Sequence, residues 1–294
     1  MLEFIRKSSA TGFILACLQT GLIADDRQAE PTAETKLAVK SGTTVSSIDK
    51  PTNRVGPLAE PAESQVSSKL TEARQLIAVA QQRMAGVSDY TCTFVKQERI
   101  GSKLLPPQII NMKSRTEPHC IYFSFQTVHK GREAIYFPLK YKNKLVAHEG
   151  GWTGYLAGTM HLDPTGRLAM SDNRHPIYEA GLNKLVTRVY ENWHNHLQPD
   201  HDISIEHGLS IGNRSVTLVQ TLHAKNSSHF QYNKVQIYFD DESGFPIRFV
   251  GYDWPSKQGE QPVLVEDYQF RNLKVNVGLT NFDFDPKNPA YAYK

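Results

Sequence analysis

Four side chains in one turn-dense stretch are of the types that hold metal ions or move protons: His161, Asp163, Asp172 and His175. Imidazole and carboxylate together suit zinc and similar ions. Their spacing, however, matches no zincin or finger pattern. Asp163-Pro164-Thr165-Gly166 reads more simply as a tight turn, with Pro fixing one dihedral and Gly taking a positive one. Asp172 and Asn173 read as caps for nearby backbone amides. The turn-and-cap reading is preferred, and neither a metal nor another cofactor is expected. An acid–base pair of Asp163 and His175, made by the fold, is the chemistry of an alternative enzymatic reading.

Nucleophilic catalysis needs a Ser or Cys beside a His, with an acid to orient it. The one Gly-x-Ser-x-Gly run, Gly208-Leu209-Ser210-Ile211-Gly212, falls within the second strand series and opens no helix, so no nucleophile elbow is present. Of three cysteines, Cys17 falls in an N-terminal apolar segment, while Cys92 and Cys120 sit in expected strands, where thiols are usually inert. A cross-strand disulfide between Cys92 and Cys120 and a pair of free buried thiols both fit. His194 and His196 lie at the end of an expected helix, where the negative pole stabilises imidazolium.

The same stretch, His148 to Leu182, is rich in glycine. Gly150-Gly151-Trp152 and Gly154-Tyr155-Leu156-Ala157-Gly158 form either a mobile flap with exposed aromatics or a plug in which Trp152 and Tyr155 close one end of a barrel. Arg174 either pairs with Glu179 or Asp172 or meets an anionic headgroup.

The elements that must position these residues are read from periodicity. Leu70, Ala73, Ile77, Ala80 and Met84 recur at helical spacing, and Gly86 ends that run. Alternating runs at Tyr90–Val95, Ile110–Met112, Ile121–Phe125, Ile135–Phe137 and Leu145–Ala147 read as strands joined by short turns, hence antiparallel. Tyr178, Leu182, Leu185, Val186, Val189, Tyr190, Trp193 and Leu197 trace one face of a second helix, with Pro176 near its first turn. Further strands follow from Ile203, with a bulge before Leu273, and Asn281–Lys294 is an irregular tail able to fold back through Phe282, Phe284 and Tyr291. About ten strands and two helices predict an α+β fold, a strongly curved antiparallel sheet with both helices in its concavity.

The chain has 294 residues, of which 21% are charged, and a net charge of +3. Lys and Arg form no block, so nucleic acid is excluded as an expected partner. Residues 1–24 read as an export signal, with Arg6 and Lys7 before an apolar core too short and broken for a membrane span. Ile14-Leu15-Ala16-Cys17 hints at a lipoprotein box, but few apolar residues separate Lys7 from Cys17, so ordinary export is preferred. Residues 25–64, with Pro31, Pro51, Pro57 and Pro61 and no aromatic, read as a disordered linker. A single domain is expected over 65–294.

The run Leu162-Asp163-Pro164-Thr165-Gly166, then Leu168-Ala169-Met170, Asn173-Arg174 and Pro176-Ile177, resembles a bacterial family of exported proteins of unknown function. Tyr90 to Arg99, Gly131-Arg132-Glu133 and Ala147-His148 resemble the same family. The strand series and the ending Asn272-Leu273-Lys274-Val275-Asn276 are similar to periplasmic lipoprotein carriers of the LolA and LolB type. That resemblance implies an unclosed β-barrel, helices as a lid and an apolar cavity for acyl chains, although the long loop at 148–177 departs from it.

The expectation is thus a non-enzymatic protein of the periplasm or cell envelope that holds a lipid or an acyl chain between the sheet and the helix at 178–197. Trp152, Tyr155, Tyr178 and Trp193 are the aromatic candidates for contact with such a ligand. Asp163, Asp172, Asn173, Arg174 and His175 are the polar ones. Alternatives are an envelope enzyme using the loop's Asp and His, and an adaptor whose exposed aromatics bind another envelope protein.

Overall fold

Helix α1 (Ala62–Met84) buries the stripe Leu70, Ala73, Ile77, Ala80 and Met84. It begins three residues inside the expected linker. The computed structural model describes residues 62–224, 229–257 and 259–293. The export signal, Cys17 and most of the linker lie outside the described residues.

Seven strands follow: β1 (Asp89–Ile100), β2 (Lys103–Leu104), β3 (Gln108–Arg115), β4 (Cys120–Phe125), β5 (Glu133–Tyr136), β6 (Leu145–His148) and β7 (Thr159–Leu162). Two short helices interrupt them, α2 (Pro138–Tyr141) and α3 (Gly151–Ala157). Both α3 and β7 fall in the stretch expected to be loop. The pattern hid them because α3 is built on glycines and β7 is only half-buried.

Helix α4 (Leu182–Asn195) comes next, starting later than the apolar periodicity suggests. Residues Ile177–Glu179 form a separate 3-10 turn, and Gly181 with φ 120° breaks the path between the two. A Cβ at Gly181 would come within 2.9 Å of the Tyr90 hydroxyl, which accepts the Leu182 N–H at 2.7 Å. At the other end, the Arg74 guanidinium of α1 donates to the carbonyls of Trp193, His194 and Leu197. These carbonyls have no partner within the helix, so α1 and α4 are locked as a pair.

Strands β8 (Asp202–Ile211), β9 (Arg214–Leu222), β10 (Lys234–Asp240), β11 (Pro246–Asp253) and β12 (Val263–Val275) complete one antiparallel sheet. Its order is β7-β6-β5-β4-β3-β1-β12-β11-β10-β9-β8, with β2 pairing only β1. The two edges, β7 and β8, do not pair, so the curved sheet is unclosed. The seam between its halves is β1 against β12, where the expected bulge falls at Asn272-Leu273 and Asn272 takes φ 53°.

The main core lies between α1, α4 and the concave face. A second cluster lies on the opposite face, where Cys120, Tyr122, Ile135, Phe137 and Val146 are covered by the tail through Phe284, Tyr291 and Tyr293. The tail folds back as its aromatics suggest: Tyr291 stacks on Tyr122 at 4.1 Å and the Tyr293 hydroxyl donates to the Val146 carbonyl.

Both cysteines among the described residues, Cys92 and Cys120, are free. Cys92 points into the main core and Cys120 into the second cluster, with β3 between their strands. Two strand spacings alone amount to about 10 Å, and Cys92 is offset by three residues from Asp89, the β1 position level with Cys120, so the pair is beyond the reach of a disulfide. The cross-strand disulfide is therefore corrected to two buried thiols.

Candidate functional site

On the concave face, side chains run in rows across the strands. One row is Cys92, Met112, Phe123, Ala134, Ala147 and Met160, each the register partner of the next. Another is Phe270, Phe94, Ile110 and Phe125. Beneath α4 and the β7–α4 connection these rows border a cavity of about 320 Å³. The connection contributes Leu168, Ala169 and Ile177, and α4 contributes Leu185 and Val189. Small residues at 134 and 147, where neighbours carry Phe, keep that part of the floor low.

The cavity has a sealed polar end. Residues two apart on a strand share a face, so the inward face of β1 continues from Phe94 to Lys96 and Glu98. On β12 it runs back from Phe270 to Tyr268 and Glu266. Glu98 and Glu266 are direct register partners and both are buried. Lys96 pairs with Glu98 at 3.0 Å. The Tyr268 hydroxyl lies between the two carboxylates, and the Tyr232 hydroxyl donates to Glu266 at 2.7 Å.

The connection from β7 to α4 is pinned to this polar end. Asn173 Oδ1 accepts from the Lys96 ammonium, and the Arg174 N–H donates to Glu98 at 3.0 Å. His175 Nε2 meets Glu266 at 2.9 Å, and the Arg174 guanidinium approaches the same oxygen at 3.4 Å. Burial disfavours the charged form of Glu266, but the His175 imidazole and the two tyrosine hydroxyls outweigh it and hold the carboxyl below the usual Glu range. Burial likewise opposes imidazolium at His175, and Glu266 overcomes it, raising the His pKa. Burial and the facing carboxylates push the Tyr268 phenol far above its ordinary range, so it remains a donor.

Of the side chains singled out from sequence, Asn173 and His175 line the cavity, and Arg174 braces its polar end. Arg174 meets Glu266, not Glu179 or Asp172, because Glu179 is taken by Arg188 and Asp172 by His129. Asp163 accepts from the N–H and hydroxyl of Thr165, so it is the turn residue its Pro-Thr-Gly context suggests. Tyr178 packs on Tyr136, outside the cavity. Trp193 is core, against Phe239. Trp152 is 75% exposed on α3 and does not line the cavity; the Tyr155 side chain is outside the described ones.

The four metal-type residues are not brought together. His161 lies against Tyr141, Asp163 in its turn, Asp172 beside His129, and His175 on Glu266. Among the described residues no group of three or more His, Cys, Asp or Glu side chains is placed to hold a metal ion. An Asp163–His175 acid–base pair is likewise not formed, since both side chains are engaged elsewhere.

Sequence reasoning missed Lys96, Glu98 and Glu266. The signal was present: on β1 the strand period carries Tyr90, Cys92 and Phe94 straight into Lys96 and Glu98 on one face. A run of charges after an apolar alternation reads as a strand leaving the core, and here it stays inside.

The chain matches a family described as proteins of unknown function over residues 87–293. The chain belongs to DUF1571. Comparison with curated proteins finds no match for this DUF1571 member. Among solved structures it is similar to the lipoprotein LppX of Mycobacterium tuberculosis, at 10% identity over 73% of this chain and 99% of that one, with TM-score 0.43. A DUF1329 family protein from Desulfovibrio piger is similar at 12% identity over 74% and 97%, with TM-score 0.37. A LolA superfamily protein from Nitrosomonas europaea is similar at 10% identity over 72% and 97%, with TM-score 0.30.

Proposed function

We propose that this DUF1571 protein is an exported, non-enzymatic carrier that holds an acyl chain in the cavity between the concave face and α4. The observation that carries the reading is the cavity itself. Its volume of about 320 Å³ lies at the lower end of the range for small-molecule sites, roughly 300–1,000 Å³. Its wall is built from Phe, Ile, Leu, Met and Ala side chains of both the sheet and the overlying connection. Each methylene moved from water into such a wall contributes about 0.8 kcal/mol, so an alkyl chain is the ligand that gains most from it.

Native mass spectrometry of protein taken from its own envelope fraction tests this, with denaturation to release and identify any bound lipid. Uptake of the neutral dye Nile red provides the solution assay. Ala147→Phe, which fills the cavity from its floor, should abolish Nile red uptake while the protein still unfolds cooperatively. Uptake unchanged in that variant would place the dye elsewhere and remove the support for a carrier.

A second reading, an adaptor for another envelope protein, is favoured by Trp152 and Leu156. They lie one helical turn apart on α3, 75% and 70% exposed. Trp152→Ala with Leu156→Ala would then abolish retention of the partner from an envelope extract and leave Nile red uptake intact.

A further inference from the structure

We propose that the cavity takes acyl ligands whose head carries no ionised group, such as esters and amides, and rejects free fatty acids. This rests on the carrier reading and adds a chemical class to it.

Among the described lining residues, every carboxylate is matched by a cationic side chain of this chain. Glu98 meets Lys96 at 3.0 Å, Glu149 meets Arg132 at 2.8 Å, and Glu179 meets Arg188 at 3.1 Å. Glu266 meets His175 at 2.9 Å and Arg174 at 3.4 Å. The converse holds as well: among the described lining residues, each Lys and Arg is committed to a carboxylate of this chain. An acyl ligand with a carboxylate head therefore finds no lining Lys or Arg outside an existing ion pair. It must compete with a carboxylate of the protein for its cation, which is strongly unfavourable at the sealed pairs, or bring an unpaired charge to an apolar wall, which is unfavourable as well.

A neutral head meets no such obstacle. An ester or amide needs only dipolar contacts at the mouth. Gln231, exposed at the cavity's border, offers an uncharged amide as donor and acceptor. The two pairs nearer water, Arg132–Glu149 and Arg188–Glu179, are those whose alteration should change the preference. Their side chains are 25–50% exposed, whereas those of Glu98 and Glu266 are sealed.

The test is competition for Nile red by hexadecanoic acid and by methyl hexadecanoate, at about pH 8, where a carboxylic acid is ionised. The ester should displace the dye at least about tenfold more effectively than the acid. Glu149→Gln, which frees Arg132, should raise the acid's affinity about tenfold and leave the ester's unchanged. Glu179→Gln, which frees Arg188 on another segment of the wall, guards against a folding defect in the first variant. Equal affinity for acid and ester, with no gain in either variant, overturns the neutral-head preference while leaving the carrier reading standing. Failure of both ligands to displace bound dye overturns the carrier reading, and the preference with it.

Discussion

Glu98 and Glu266 face each other across β1 and β12 as register partners, both buried, with the Tyr268 hydroxyl between them. Like charges directly opposite on a sheet are destabilising. The compensation comes from Lys96 on the sheet and from Arg174 and His175 on the connection above it. The connection is therefore held over the cavity as the counter-charge of the sheet. Lifting it would leave two sealed carboxylates facing one ammonium.

Glu266→Gln removes one carboxylate and leaves His175 and Arg174 facing a neutral amide. Breaking a buried pair from one side costs roughly 3 kcal/mol or more. Urea unfolding should show a loss of about that size, and amide exchange should rise first at residues 171–177. A loss confined to global stability, with no local change in exchange, would mean that Glu266 does not hold the connection.

The pH dependence of the latch has a definite sign. His175 has a raised pKa in the fold, so its contribution is complete below the ordinary His value of 6.5 and fades as pH climbs through the raised one. Glu266 has a lowered pKa, so its contribution is present above 4.5 and fades as pH falls through the lowered value. The pair is strongest between these limits. His119 and His223 act oppositely: burial lowers each to about 4, so their contribution is present above 6.5 and is lost as pH falls toward 4. Protection of the Arg174 amide should accordingly decline as pH climbs above 6.5 through the raised His175 value, and His175→Gln should flatten that limb. A decline with rising pH that survives in the variant would assign the latch to another group.

Much of this architecture was legible in sequence. The stripe from Leu70 to Met84, the alternations from Tyr90 to Phe125 and the apolar face from Leu182 to Leu197 each repeat the period of the element they form. The bulge near Leu273 and the returning tail were legible as well. The polar end of the site was not, because it joins residues from β1, the connection before α4, and β12. Glu98 and Glu266 are 168 positions apart in the chain, and nothing local at either marks the other. Trp193 misled for the opposite reason: an aromatic on an apolar stripe fits a ligand wall and a core equally, and packing on Phe239 decides for core.

The thiols give a clean chemical test. Burial lifts Cys92 to about 12, and burial also raises Cys120, whose sulfur accepts from the Arg115 guanidinium at 3.2 Å. A thiol held protonated and covered is a poor nucleophile. Peptide mapping after iodoacetamide treatment of the native protein should find Cys92 and Cys120 unmodified, and both alkylated after denaturation without reductant. A linked peptide pair in the denatured sample would restore the disulfide.

The two faces of the sheet should prove energetically separable. Phe284 is fully buried in the second cluster, flanked by the Arg115 guanidinium at 5.3 Å, and it anchors a tail packed on that cluster rather than on the main core. Truncating a buried Phe to Ala typically costs about 3–5 kcal/mol. Phe284→Ala should lower stability by that amount, measured by urea unfolding, yet leave the Nile red affinity of the folded protein unchanged. Ala147→Phe should do the reverse, abolishing dye binding with a smaller loss of stability, since the cavity has room for the ring. If Phe284→Ala also weakens the dye, the opposite face is coupled to the cavity through β4–β6, the strands that carry side chains on both sides.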